Sequence, residues 1–149
     1  MKVILTSDHA GANLRNEVRN LLEELGIDYE DVGCRCEESV DYPDYALPAA
    51  QRVASGEFDR GIFICGTGIG MSISANKVKG VRCALSHDVY SAKLTRLHND
   101  SNVLAMGERV IGPGLATEIA KVWLETAFEG GRHARRVGKI TDYEGKEQS

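Results

Sequence analysis

Cys65 ends an apolar run, Gly61-Ile62-Phe63-Ile64-Cys65, and a glycine-rich turn, Gly66-Thr67-Gly68-Ile69-Gly70, follows at once. Such a turn between a strand and a helix frees backbone N–H groups to face an anion, and the helix dipole adds about half a positive charge there. The anion is either a phosphate or an oxyanion formed during catalysis. Thiols beside helix N-termini ionise more readily than free ones, so Cys65 is a candidate base or nucleophile. The competing reading is a buried strand cysteine packed as a small hydrophobe. Asp8-His9 sets a carboxylate beside an imidazole, or else forms a turn whose Asp caps the first helix. His98-Asn99-Asp100 offers an imidazole suited to proton transfer near neutral pH, or a His favoured at a helix C-terminus. Arg132 and Arg136 are four apart and share a helix face. Two guanidinium forks there could clamp a phosphate, against the blander reading of a solvated basic helix. Arg109 is a further possible phosphate partner.

The glycine turn does not fit a dinucleotide fingerprint. Its spacing is G-x-G-x-G, position 71 is Met, and it follows the third strand rather than the first. A phosphate-binding P-loop is excluded, because no Gly-Lys-Ser/Thr follows.

These residues need a scaffold, and the hydrophobic pattern supplies one. Val3-Ile4-Leu5 reads as a buried strand, and Leu14, Val18, Leu21, Leu22 and Leu25 follow at helical spacing up to Gly26. Ile27 to Val32 is a weaker second strand, and Cys34 to Asp44 a polar loop. Pro43 opens a helix running to about Ser55. The run 61–65 is the strongest strand, with a helix predicted over 71–78. Val81 to Leu85 and Asn102 to Met106 are the remaining strands, separated by a helix marked by Val89, Ala92, Leu94 and Leu97. Leu115, Ile119, Val122 and Trp123 mark an amphipathic helix. Gly130-Gly131 breaks it, a basic helix follows, and 144–149 is expected to fray. The alternation predicts a single doubly wound (Rossmann-like) α/β domain over 1–149, a five-stranded parallel sheet with helices on both faces. Ligands in such sheets bind outside the carboxyl ends of the strands, where Asp8, His9, the Cys65–Gly70 turn and His87-Asp88 fall.

Composition narrows the function classes. The 149 residues are 42% hydrophobic and 27% charged, close to a globular average, and no apolar run approaches the ~20 residues of a membrane helix. The N-terminal apolar run is too short for a signal peptide, which makes the cytoplasm the default location. Lys plus Arg number 18 against 22 Asp plus Glu, a net charge of −4, and the pI is about 5.6. That disfavours a nucleic-acid binder. The four cysteines, Cys34, Cys36, Cys65 and Cys83, show no C-x-x-C. They are read as free thiols, neither a zinc framework nor a disulfide scaffold.

Taken together, the string Cys65-Gly66-Thr67-Gly68-Ile69-Gly70-Met71-Ser72-Ile73 with Ala75-Asn76-Lys77 resembles the signature of type B ribose-5-phosphate isomerases. That family also holds the galactose-6-phosphate isomerase subunits. Ser7-Asp8-His9-Ala10-Gly11, Asp41-Tyr42-Pro43-Asp44-Tyr45, His98-Asn99-Asp100 and Gly130-Gly131-Arg132-His133 fit in the family's order, so the match runs from about residue 2 to 140.

The resemblance implies a metal-independent aldose–ketose isomerisation of a five-carbon sugar phosphate through a cis-enediolate, with no cofactor. It implies that His98 opens the furanose ring, with Asp8 lining the pocket, and that Cys65 removes the C2 proton. The amides around Gly66, Gly68 and Gly70 would hold the enediolate oxygen, and Thr67 would assist proton transfer. His9, Arg109, Arg132 and Arg136 would bind phosphate, and Asn99 the sugar. It further implies a homodimer, in some members paired into a tetramer. The glycine turn would come from one chain, and His98, Asn99 and the arginines from the other. A branch of the family uses a glutamate as base; Ser74 and Ala75 bracket that region here, which places this sequence in the cysteine branch. His87-Asp88 has no role in this picture, and Cys83 reads as a core residue. Alternatives are an isomerase of a six-carbon substrate such as allose or galactose 6-phosphate, a non-catalytic sugar-phosphate-binding module, and a subunit active only with a second chain.

Overall fold

The computed structural model describes residues 1–146. The strands are β1 (Lys2–Ser7), β2 (Asp28–Asp31), β3 (Arg60–Cys65), β4 (Cys83–Leu85) and β5 (Val103–Gly107). The helices are α1 (Ala12–Glu24), α2 (Pro43–Ala54), α3 (Ile69–Asn76), α4 (Val89–Asn99), α5 (Pro113–Glu125) and α6 (Arg132–Lys146), with a 3₁₀ turn at His9–Gly11. The strands form one sheet in the order β2-β1-β3-β5-β4, and all four pairings are parallel. The predicted α/β architecture is therefore present.

Two apolar layers hold it. On one face Val3, Leu5, Ile62, Ile64, Leu104 and Met106 meet α1, α4 and α5 through Leu14, Val18, Leu22, Ala92, Ile119 and Trp123. On the other, Ile4, Phe63, Val103 and Ala105 meet α2 and α3 through Ala46, Ala49, Ala50, Val53, Met71 and Ala75. Residues alternate between the faces along each strand, as the pleat requires. Both faces are covered, so the central strands read as continuous apolar runs. Trp123 is fully buried, and its indole N–H donates to Ser101 Oγ at 2.9 Å.

Helix starts and caps explain the differences from expectation. Helix α3 begins at Ile69, two residues earlier than the spacing predicts, because Gly68 takes φ 75° and serves as the N-cap. Gly70 thus lies in the helix rather than in the loop. Helix α1 has no side-chain cap of its own at Gly11. The Glu108 carboxylate supplies one instead, accepting the Leu14 N–H at 2.8 Å and the Asn13 side-chain amide at 3.1 Å. At the other end of the chain, α6 continues through Glu144 to Lys146 where fraying was expected; positions 147–149 lie outside the described residues.

The cysteine expectation also needs correcting. Cys34 and Cys36 are disulfide-bonded, with their Cα atoms 5.5 Å apart. The loop after β2 is drawn back by the Cys34 N–H donating to Ser7 O at 2.9 Å and the Cys36 N–H reaching Cys34 Sγ at 3.2 Å, which turns the two side chains together. Cys65 and Cys83 are free. Cys83 is only partly exposed, and burial pushes its thiol up to about 12. No described helix is long and apolar enough to cross a membrane.

Candidate active site

The chain leaves β1 toward β2 on one side, while β3 opens the other half of the sheet. A crevice therefore forms at the carboxyl ends of β1 and β3, the place where such sheets bind ligands. The Asp8–Gly11 turn follows β1 there, the Cys65 turn follows β3, and Glu108-Arg109 follows the adjacent β5.

Cys65 closes β3 and is 4% exposed. Its Sγ accepts the N–H of Gly68 at 3.1 Å. That amide, expected to serve a substrate oxyanion, is thus engaged by the sulfur itself. Ile69 N–H goes to Thr67 Oγ1 at 3.3 Å. Gly70 sits in the first turn of α3, where N–H groups have no intrahelical partner, and the Tyr42 ring covers it so closely that a Cβ would come within 2.7 Å. The turn rests on β5: a Cβ on Gly68 would meet the Met106 backbone at 2.7 Å, and one on Gly107 would meet Thr67 C at 2.5 Å. Thr67 itself is exposed.

Asp8 is 5% exposed and caps the 3₁₀ turn, its Oδ1 accepting the Ala10 N–H at 2.9 Å. The cap falls on this short turn rather than on α1, whose N-cap is Gly11. His9 Nδ1 accepts the Val40 N–H at 3.1 Å. With Nδ1 accepting, Nε2 is the ring nitrogen left to donate. Gly11 packs onto β3, where a Cβ would lie 2.7 Å from Ile64 O. Arg109 N–H donates to Gly66 O at 3.0 Å, and its guanidinium lies 3.2 Å from the Cβ position of Gly66. Arg109 therefore stands with Cys65 of its own chain, not with His98 as expected; the turn after β5 is hydrogen-bonded directly to the glycine turn.

His98 and Asn99 do not join this group. They close α4, just before β5 begins, and Asn99 O accepts from Arg82 Nε at 2.9 Å. The strand pairing sets Cys65 opposite Gly107 at one end of β5 and Gly61 opposite Val103 at the other. Within one chain the two imidazole and thiol stations are thus separated by about a strand length, roughly 15 Å. His98 instead stacks on His133 of α6, with ring centroids 4.1 Å apart and planes at 12°. His133 is 4% exposed; burial, with His98 and the nearby Arg132 and Arg136 adding to it, holds it below the usual imidazole range against the pull of Glu129. Arg132 and Arg136 are exposed on the same helix. The stack was missed in the sequence, where only Gly130-Gly131-Arg132-His133 hinted at a role for His133. Tyr42, which covers Gly70, entered the sequence reading only within the Asp41–Tyr45 string and without a role, and Val40, which donates to His9, gave no signal.

His98, Glu129 and His133 also place possible metal-ligand atoms within 4.8 Å of one another. The plane-against-plane stack accounts for this closeness, since ligating imidazoles point in-plane lone pairs at a common ion.

Comparison with known proteins shows the family. The Ribose/Galactose Isomerase family profile matches residues 3–140. Ribose-5-phosphate isomerase B of Escherichia coli (strain K12) is 48% identical over 143 residues, covering 96% of each chain. D-erythrulose-4-phosphate isomerase of Pectobacterium atrosepticum is 42% identical over 153 residues, covering 99% of this chain and 98% of that protein. The solved structure of ribose-5-phosphate isomerase B from Clostridium thermocellum is 52% identical, covers 99% of both chains and superposes with a TM-score of 0.96. With the family profile matched over residues 3–140 and the fold shared with a structure 52% identical, this chain belongs to the Ribose/Galactose Isomerase family of sugar isomerases.

Proposed function

We propose that the chain interconverts ribose 5-phosphate and ribulose 5-phosphate through a cis-enediolate, with Cys65 as the base. The observation that carries this reading is Cys65 Sγ at the carboxyl end of β3, 3.1 Å from the Gly68 N–H and beneath the first turn of α3. The chemistry follows in order. His98 protonates the ring oxygen while the C1 hydroxyl gives its proton to water, which opens the furanose to the aldehyde. The Cys65 thiolate takes the proton from C2, and the C–H electron pair forms the C1–C2 double bond while the carbonyl oxygen becomes anionic. First-turn N–H groups such as that of Gly70, with Gly66 beside it, meet that oxygen; each such donor contributes roughly 3 kcal/mol in comparable sites. The Thr67 hydroxyl helps move the proton between the two oxygens, and the thiol returns its proton to C1 to give the ketose. His9 Nε2–H and Arg109 hold the phosphate, joined by Arg132 and Arg136; Asn99 contacts the sugar and Asp8 lines the pocket. No step in this scheme uses a metal or cofactor.

Because His98, Asn99, Arg132 and Arg136 stand a strand length from Cys65 of the same chain, the complete site is assembled between two copies in a homodimer. Exposed Leu85, Tyr90 and Ile73 near the sheet edge at β4 provide apolar surface for such pairing. The test is conversion of ribose 5-phosphate by the purified chain with EDTA present. Turnover that disappears in Cys65→Ala supports the reading. Absence of turnover from folded protein, or turnover retained in Cys65→Ala, refutes it. Running D-erythrulose 4-phosphate and a six-carbon sugar phosphate beside it sets the preferred chain length.

A further inference from the structure

His87 follows β4 and takes no part in the chemistry above, yet its side chain reaches the adjacent strand. Its Nε2 accepts the N–H of Gly107, the last residue of β5, at 2.9 Å. Gly107 pairs in register with Cys65 and lies against the underside of the glycine turn: the position a Cβ would take is 2.5 Å from Thr67 C and 2.6 Å from Thr67 Cα. The next two residues continue the contact, with Glu108 N–H on Cys65 O and Arg109 N–H on Gly66 O, each at 3.0 Å. On the other side, Gly68, whose N–H holds Cys65 Sγ, sits on the Met106 backbone and the Leu85 side chain. The end of β5 is thus the floor of the turn.

We infer that His87 is a positioning residue for the Cys65 turn: its imidazole anchors the Gly107 amide and thereby fixes the floor on which Thr67 and Gly68 lie. The Gly107 N–H has no strand beyond it to pair with, since β4 ends at Leu85 opposite Ala105. Without Nε2 this amide would be the loose end of the sheet beneath the reacting sulfur. Only a neutral ring with its proton on Nδ1 can accept there. Partial burial favours that form, pulling the group below the usual imidazole range against the opposing attraction of Asp88. Asp88 is itself fixed as the N-cap of α4, accepting the Ser91 N–H at 2.6 Å, which sets the backbone from which His87 projects.

The inference rests on Cys65 as base and is tested with two variants. His87→Leu keeps the bulk and removes the acceptor; His87→Gln places a carbonyl oxygen near the position of Nε2. For ribose 5-phosphate, His87→Leu is expected to lose about tenfold or more in kcat, the scale of a sub-ångström misplacement, with KM within about twofold. His87→Gln should recover most of that loss. A His87→Leu enzyme with wild-type kcat, or an equal loss in a folded His87→Gln, overturns the inference. A second measurement holds even where His87→Leu does not fold. The ¹⁵N shifts of His87 in the unmodified protein should show an unprotonated, hydrogen-bonded Nε2, and a proton on Nε2 overturns the assignment. Cys65→Ala in the same assay separates the two claims. Activity retained there defeats the base; activity lost there but kept in His87→Leu defeats only the anchor.

Discussion

Replacing Gly107 with alanine adds a single methyl group directly beneath the catalytic turn. Its Cβ would sit 2.5 Å from Thr67 C, 2.6 Å from Thr67 Cα and 2.7 Å from Thr67 O. Ordinary contact begins near 3.4 Å, so the turn and β5 must separate by about 0.9 Å, and every atom in the way is backbone. The Gly107 backbone itself lies outside the left-handed region, so alanine meets no torsional penalty of its own. Overpacking of this kind costs about 1–3 kcal/mol of stability, a loss the fold should survive. A reacting group misplaced by about 1 Å loses on the order of 100-fold in rate. The expected outcome is folded Gly107→Ala with a modestly lowered Tm and kcat down by about two orders of magnitude, while phosphate binding holds KM near its original value. Gly112→Ala, where a Cβ meets no atom within 4 Å, should behave as wild type. The assay is steady-state isomerisation of ribose 5-phosphate beside a thermal melt. If Gly107→Ala keeps kcat within twofold while folded, the turn is not held rigidly by β5 and the geometric argument fails.

Other outcomes follow from the same geometry. Arg132→Ala and Arg136→Ala should each raise KM by about tenfold or more, the scale of a lost charge-assisted hydrogen bond, and unchanged KM in both removes the phosphate clamp. Mixing inactive Cys65→Ala with inactive His98→Asn should restore about a quarter of wild-type activity, because half the dimers are mixed and each mixed dimer holds one intact site; no recovery after subunit exchange places both groups in one chain. Iodoacetamide should label Cys65 and be slowed by substrate, while Cys83, with its thiol pushed up to about 12, stays unlabelled at neutral pH; mass spectrometry showing equal, unprotected labelling counts against the base. The Glu30 and Glu57 carboxyls are held below their usual value of 4.5 by hydrogen bonds from Arg52. A carboxyl lowered in the folded state stabilises it above the unfolded value and stops doing so as pH falls through the folded one. Arg52→Ala should therefore flatten the fall in stability below about pH 4.5, and an unchanged acid limb refutes this.

The sequence exposed most of the architecture because its signals were local. The run 61–65 was apolar enough to be a covered central strand and the glycines after it punctuated sharply, so β3 and the turn were readable together. The start of α3 was not, because it depends on Gly68 adopting a left-handed conformation that the residue type permits without requiring. The Cys34–Cys36 bond escaped because a one-residue gap carries no pattern of its own and the turn behind it is made by a backbone bond to Ser7. Long-range relations were the least visible. Nothing near His87 in the chain points to Gly107, nothing near Arg109 says that it leans on Gly66, and the His98–His133 stack joins residues 35 positions apart. The family strings pointed to a set of chemical groups and implied that two chains share them; the strand directions add that, within one chain, His98 stands at the opposite end of β5 from Cys65.

The Glu108 cap on α1 has a bearing on how the chain acquires its shape. Helix α1 starts with no cap of its own, and the carboxylate that completes its first turn arrives from 94 residues further along. During synthesis the first helix must therefore wait, with its leading amides open to water, until β5 has emerged and docked. Contacts of such long sequence separation form late, because closing the intervening loop costs entropy before anything is gained. The N-terminal turn bearing Asp8 and His9 is finished by the same event that brings Arg109 beside Gly66. The crevice should accordingly appear in one late step, and hydrogen-exchange pulses during refolding should find the Leu14 amide protected together with β5 rather than with the rest of α1.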